Sequence, residues 1–171
     1  MLAVLALAGA LAALPAVAVV AAEPLPEYDV KAAFLYNFAL FTDWPGAAPQ
    51  GVVFCVLGQD PFGAALDAFQ SKPLRGAQVE VRRLPEAAGV RGCHVLFIGA
   101  RDAQGVARGL QAAKGLPVLT VADAPGALDA GVMIVMALDE RRVVFEVNRE
   151  AAAGAGLSLS SKLLRLARAV R

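Results

Sequence analysis

The sequence predicts one α/β domain, a mixed and mostly parallel sheet flanked by helices on both faces and finished by a late antiparallel hairpin. Three observations lead there. The runs VVFCVLG (52 to 58), HVLFIG (94 to 99) and LPVLTVAD (116 to 123) are nearly continuous in apolar residues, as strands covered on both faces are. Stretches with helical spacing separate most of these runs, the order that builds right-handed parallel crossovers. VMIVMAL and RVVFEVN then follow one another with only a polar turn around Asp139 to Arg141 between them, a hairpin pattern.

The opening of the chain bears on compartment before any fold begins. Residues 1 to 22 carry no charged side chain and end in small residues, so they read as an export signal cut after Ala18 or Ala22, or kept as an uncleaved N-terminal anchor. The α/β domain is then expected over residues 23 to 171, outside the cytoplasm. Within it no apolar run reaches the roughly 18 residues that a transmembrane helix needs. With 58% hydrophobic residues in a chain of 171, a proper core can be buried. Sixteen basic residues against 15 acidic ones give a formal net charge of +1, which provides no field for gathering nucleic acid.

The first mature element is VKAAFLYNFALFTDWP (30 to 45), a helix that Pro45 is expected to end. Val30, Phe34, Phe38 and Phe41 form one stripe while Tyr28, Leu35 and Ala39 fall on other faces, so the helix is apolar all round. Such a helix is clamped between two elements, or keeps one face for a partner. VVFCVLG follows as a central strand. In QDPF, Asp60 is placed to cap, and Pro61 to open, the helix GAALDAFQ. AQVEVRRL (77 to 84) alternates and reads as a more exposed strand, HVLFIG as a buried one, and AQGVARGLQAAK (103 to 114) as a helix before LPVLTVAD. After the hairpin, NREAAAGAG is a short helix and SSKLLRLARAVR a terminal one, with Lys162, Arg165 and Arg168 as its basic face. Glu146 and Lys162 are candidates for an ion pair across the fold. Doubly wound sheets hold ligands beyond their C-terminal strand ends, here near Gly58 to Phe62 and Gly99 to Asp102.

Motif chemistry is sparse. Cys55 and Cys93 have two readings, a disulfide suited to an exported chain or two buried thiols. If their strands are neighbours, bridging them closes a loop of about 40 residues and contributes roughly 4 kcal/mol by loop-closure entropy. Two cysteines and the single His94 fall short of the four-ligand spacing of a zinc site. His94, at the mouth of a buried strand, reads as a structural hydrogen-bonding group ahead of a general base. GQDPFG lacks the Lys and Ser/Thr of a phosphate-binding loop, and in SLSSKLL position 159 holds Leu159 where a serine nucleophile motif needs serine. No catalytic, metal or cofactor site follows, and the protein is expected not to be an enzyme.

VKAAFLYNFALFTDWP, FCVLGQDPFG, CHVLFIG, LTVAD, FEVN and AGLSLSSKLLRLA, in this order and spacing, resemble the YfiR family of periplasmic proteins over nearly the whole mature chain. That resemblance implies a repressor that binds the periplasmic sensory region of a membrane-bound diguanylate cyclase of the YfiN type, lowering cyclic di-GMP signalling and biofilm formation. It also implies a homodimer and requires no cofactor. A regulator of this kind needs a shaped apolar patch, and aromatic anchors commonly dominate such patches. Phe38, Phe41 and Trp44 are therefore the candidate partner-binding residues, their other reading being ordinary core. The rival function is a periplasmic small-molecule-binding protein using the strand-end crevice, and a small-molecule effector is compatible with either reading.

Overall fold

The computed structural model describes residues 26–46 and 51–171. The export segment over residues 1 to 22, and the domain boundary behind it, lie outside the described residues. In chain order the elements are α1 (Glu27–Leu40), β1 (Thr42–Asp43), β2 (Gly51–Gly58), α2 (Ala64–Asp67), β3 (Gln78–Leu84), a 3-10 turn (Ala87–Val90), β4 (Val95–Gly99), α3 (Ala103–Ala113) and β5 (Leu119–Ala122). The hairpin β6 (Ile134–Asp139) and β7 (Arg142–Val147) follows, then α4 (Arg149–Gly154), β8 (Ser158–Leu159), α5 (Ser161–Leu166) and β9 (Ala169–Val170).

The apolar runs form the middle of a seven-stranded sheet ordered β3-β2-β4-β5-β6-β7-β9. β3, β2, β4, β5 and β6 are mutually parallel, and only the β6–β7 pair is antiparallel. The expected fold class is thus the observed one. Strand periodicity divides the core in two, because successive side chains point to opposite faces. Val52, Phe54, Val56, Val95, Phe97, Val121, Ile134 and Met136 pack with α1, α2, α4 and α5 on one face. Val53, Cys55, Leu96, Ile98 and Ala122 pack with α3 and the 3-10 turn on the other. β3, the alternating run, is an edge strand, and its Glu80, Arg82 and Arg83 keep that edge charged.

The hairpin turn has positive φ at both central residues, 43° at Glu140 and 65° at Arg141. That geometry matches the twist of the flanking strands, although neither residue is the Gly or Asn that tolerates it best. In α3, Asp102 caps the helix by accepting from the Gly105 amide at 2.7 Å. Asn148 caps α4 and Ser160 caps α5 in the same manner, so the serines before Lys162 serve a helix start.

Four local expectations are corrected. α1 stops at Leu40, well short of Pro45. The Thr42 hydroxyl donates to the Phe38 carbonyl at 2.7 Å, and Thr42–Asp43 then pairs with Ser158–Leu159 as a two-stranded ribbon. Second, Pro61 does not open α2, whose N-cap is Gly63; α1 itself buries Lys31, Ala32, Leu35, Phe38 and Ala39 and packs Phe34 and Phe41 partly buried against the same core, as a helix apolar all round does. Third, Asp60 does not cap α2, which starts at Ala64; its carboxylate instead accepts from the amides of Phe62 and Gly63, a local turn that competes with helix formation. Fourth, the terminal helix ends at Leu166 and the tail becomes β9 beside β7, with the Arg168 amide donating to Phe145 and the Arg171 amide to Val147. The basic helical face is therefore broken, and Glu146 pairs with Arg168 at 2.5 Å, not with Lys162.

Candidate functional site

The aromatic end of α1 divides between core and surface. Phe38 is 0% exposed, with its ring 5.0 Å from that of Phe145 and 5.8 Å from that of Phe34, so it packs the core and is withdrawn from the candidate surface. Phe41 and Trp44 are half-buried against the same core. Beyond β1 the indole of Trp44 turns onto His94, edge to face at 5.7 Å, and its Nε1–H donates to the His94 carbonyl at 3.3 Å. Arg75 fixes this corner by donating to the Leu40 carbonyl and pairing with Asp43 at 2.5 Å.

His94 is in turn tied to the disulfide region. Cys55 on β2 and Cys93, just before β4, are bonded, with Cα atoms 5.9 Å apart. The β2–β4 adjacency that a bridge requires is present. Next to it, the His94 amide donates to the Val53 carbonyl at 2.9 Å, and the Val53 amide donates back to His94 Nδ1 at 3.1 Å. A ring nitrogen that accepts carries no proton, so the neutral Nε2–H tautomer is the one present. Burial first, and then the Arg82 guanidinium, hold the imidazole below its ordinary pKa. His94 is thus a structural hydrogen-bonding residue, as its position at the strand mouth suggests.

A second polar cluster lies under α1. Lys31, 3% exposed, sits 2.7 Å from Asp123 and 2.5 Å from Glu27, and Tyr28 donates to Asp123 at 2.9 Å. Asp123 directly follows β5, so this cluster fastens the start of α1 to the C-terminal end of the sheet. Burial alone would lower the lysine pKa, but the hydrogen bonds to Asp123 and Glu27 outweigh it and raise the value. Burial and the bond to Asp123 raise that of Tyr28.

Beyond the C-terminal ends of β2 and β4 lies an open cleft of about 490 Å³, between Gly58, Gln59 and Pro85 on one side and Gly99, Arg101 and Arg108 on the other. It coincides with the expected crevice and with the point where the strand order reverses. A Cβ on Gly99 would overlap the Gln59 backbone, and one on Gly58 would come within 2.8 Å of the Gly99 carbonyl, so both positions depend on the close approach that glycine allows. Elsewhere, the exposed large apolar side chains among the described residues are Leu138 (53%), Leu166 (70%) and Val170 (44%), on the hairpin, α5 and the tail strand. Among the described residues, no group of three His, Cys, Asp or Glu side chains gathers as a metal site, and no helix is long and apolar enough to cross a membrane.

Strand order, hairpin and covered faces define a doubly wound α/β domain with a strand-end cleft. The chain belongs to the YfiR/HmsC-like family, whose model matches residues 28–168. Among solved structures it is similar to a conserved domain protein from Vibrio cholerae, with a TM-score of 0.56 and 12% identity over 85% of this chain and 60% of that one. It is also similar to an ABC domain from Streptococcus pneumonia solved in complex with L-Trp, with a TM-score of 0.57 and 11% identity over 82% of this chain and 60% of that one. The chain therefore spans less than two thirds of either structure, and at such identities the likeness is one of fold. No curated protein matches.

The Lys31–Asp123 pair escaped the sequence reading. Its two signals were a lysine inside an otherwise apolar helix and an aspartate closing the strand LTVAD. Nothing local joins residues so far apart in the chain.

Proposed function

We propose that this protein is a periplasmic repressor that binds the sensory region of a membrane-bound diguanylate cyclase of the YfiN type, lowering cyclic di-GMP synthesis and biofilm formation. The family match over residues 28–168 is the observation that carries the reading. A repressor of this kind holds its partner in one state by binding that state more tightly, and the chain itself catalyses nothing. Phe41 and Trp44 supply half-buried aromatic area at a corner fixed by Arg75, and they are the assigned partner contacts. The active form is a homodimer. Capture of the exported protein from its native membrane tests the reading: an inner-membrane cyclase is the expected companion. Recovery of none, with a bound metabolite in its place, contradicts it.

The cleft supports a second reading, a periplasmic small-molecule binder. Arg101 and Arg108 line it, and the one carboxylate beside them, Asp102, is engaged in capping α3, which favours an acidic ligand. Thermal melts with inorganic phosphate and with small carboxylates, in the absence of any protein partner, separate the two readings. A rise in melting temperature that Arg101→Gln and Arg108→Gln abolish favours the second.

A further inference from the structure

We infer that His94 is an acid-operated release for Trp44: protonation of its imidazole breaks the bond to the Val53 amide and frees the indole from the mouth of β4. Geometry carries this. His94 meets β2 through two hydrogen bonds to one residue, its amide to the Val53 carbonyl and its Nδ1 from the Val53 amide. Where the chain bends back toward the Cys55–Cys93 bridge, the ring thus serves as the acceptor for Val53. A proton on Nδ1 leaves two donors facing each other, so protonation and this bond are mutually exclusive. Val53 is buried, so an amide that loses the ring as its acceptor is left in a place where an unpaired donor is costly.

The indole rests on the same ring and hydrogen-bonds the same residue's carbonyl, which also accepts from the Leu119 amide at 2.9 Å. A rotation of the imidazole away from Val53 removes the surface on which Trp44 is seated. Burial first, and then the field of a nearby cation, oppose protonation of the ring. Arg82 on β3 is the cation whose field reaches the imidazole; it is clasped by Glu80, and Asp43 beside Trp44 is already taken by Arg75. The switch accordingly operates on the acid side of the ordinary histidine range, about 6.5. Its effect on a partner rests on the contact role proposed for Trp44; the switch itself does not.

The chain holds one His and one Trp, so each reports without interference. The test follows the Cε1–H resonance of His94 by proton NMR and the emission of Trp44 by fluorescence, from pH 8 to pH 4, with far-UV circular dichroism recorded at each point. The expected result is a shared one-proton midpoint below about pH 6.5, with emission moving to longer wavelength while the dichroism stays constant. His94→Gln, which retains an acceptor that does not titrate, should lose the fluorescence transition. Indole emission that stays flat while His94 titrates, a transition that survives in His94→Gln, or a midpoint that coincides with loss of the dichroism would each overturn the inference. If His94→Gln does not fold, agreement or disagreement of the two wild-type midpoints decides it alone.

Discussion

The ammonium of Lys31 on α1 lies 2.7 Å from the carboxylate of Asp123 at the end of β5, although 92 residues separate them. The lysine is almost fully buried, with Glu27 and the Tyr28 ring, 4.6 Å away, completing its surroundings. A charge held this far from water depends on its partners, since neither ion would be tolerated there alone.

Lys31→Met is therefore expected to destabilise the fold by about 3 kcal/mol, because it leaves the part-buried Asp123 carboxylate without its cation and with only Tyr28 as a side-chain partner. Urea unfolding checks this. The double variant Lys31→Met with Asp123→Leu should recover part of the loss, since replacing a whole buried pair is far less costly than breaking it. A single variant within 0.5 kcal/mol of the parent would contradict the account.

The same pair gives a pH dependence with a definite sign. The folded pKa of Lys31 is raised, so its contribution is complete below the unfolded value of about 10.4 and is lost as pH rises through the folded value. Stability measured from pH 9 to pH 12 should fall more steeply in the parent than in Lys31→Met. Asp60 behaves oppositely. Burial would raise its pKa, but the bonds from Arg83, Phe62 and Gly63 hold it below the ordinary range. Its contribution is present above about pH 3.9 and lost as pH falls through the folded value. Since Arg83 is substantially exposed, Asp60→Ala should cost no more than about 1 kcal/mol at neutral pH.

Reduction of the Cys55–Cys93 bridge, which closes a separation of 38 residues, should lower stability by about 4 kcal/mol. Thermal melts with and without reductant measure it, and identical curves from a demonstrably oxidised sample would remove the bridge from the stability account. A marked loss would also give the oxidising state of the compartment control over how much folded protein survives.

The hairpin turn offers a change in the other direction. Glu140 and Arg141 occupy left-handed backbone conformations, which cost a non-glycine residue roughly 1 kcal/mol each. Replacing them by Asn and Gly, the pair this turn prefers, should raise the melting temperature. A lower melting temperature would mean that these side chains hold something the turn geometry does not account for.

The strands were legible because their apolar runs are local: VVFCVLG and HVLFIG became the adjacent β2 and β4, and with them the Cys55–Cys93 bridge and the strand-end cleft. What escaped was set by contacts distant in sequence. SSKLLRLARAVR has the spacing of a longer helix, but the free edge of β7 captures Ala169–Val170 as a strand, with the Arg168 and Arg171 amides bonded on either side, a tertiary bond pattern that overrides local propensity. Phe38 and Trp44 look alike as aromatics in one apolar run. Only the packing of Phe38 on Phe145 and of Trp44 on His94 separates core from corner.

Trp44→Ala should weaken partner binding at least tenfold if the indole anchors the interface, with the fold intact by circular dichroism, since buried aromatic anchors commonly cost 2 kcal/mol or more when truncated, a figure that amounts to roughly thirtyfold. Unchanged affinity in the folded variant would take Trp44 out of the interface and leave the exposed Leu138, Leu166 and Val170 to be tested in the same way.

Equilibrium binding of the purified, oxidised protein to the periplasmic region of a YfiN-type diguanylate cyclase, paired with the output of the full-length enzyme in membranes, tests the repressor reading most directly. Saturable binding that lowers cyclic di-GMP synthesis in step with occupancy is the predicted result. A folded sample that neither binds nor alters synthesis would contradict it.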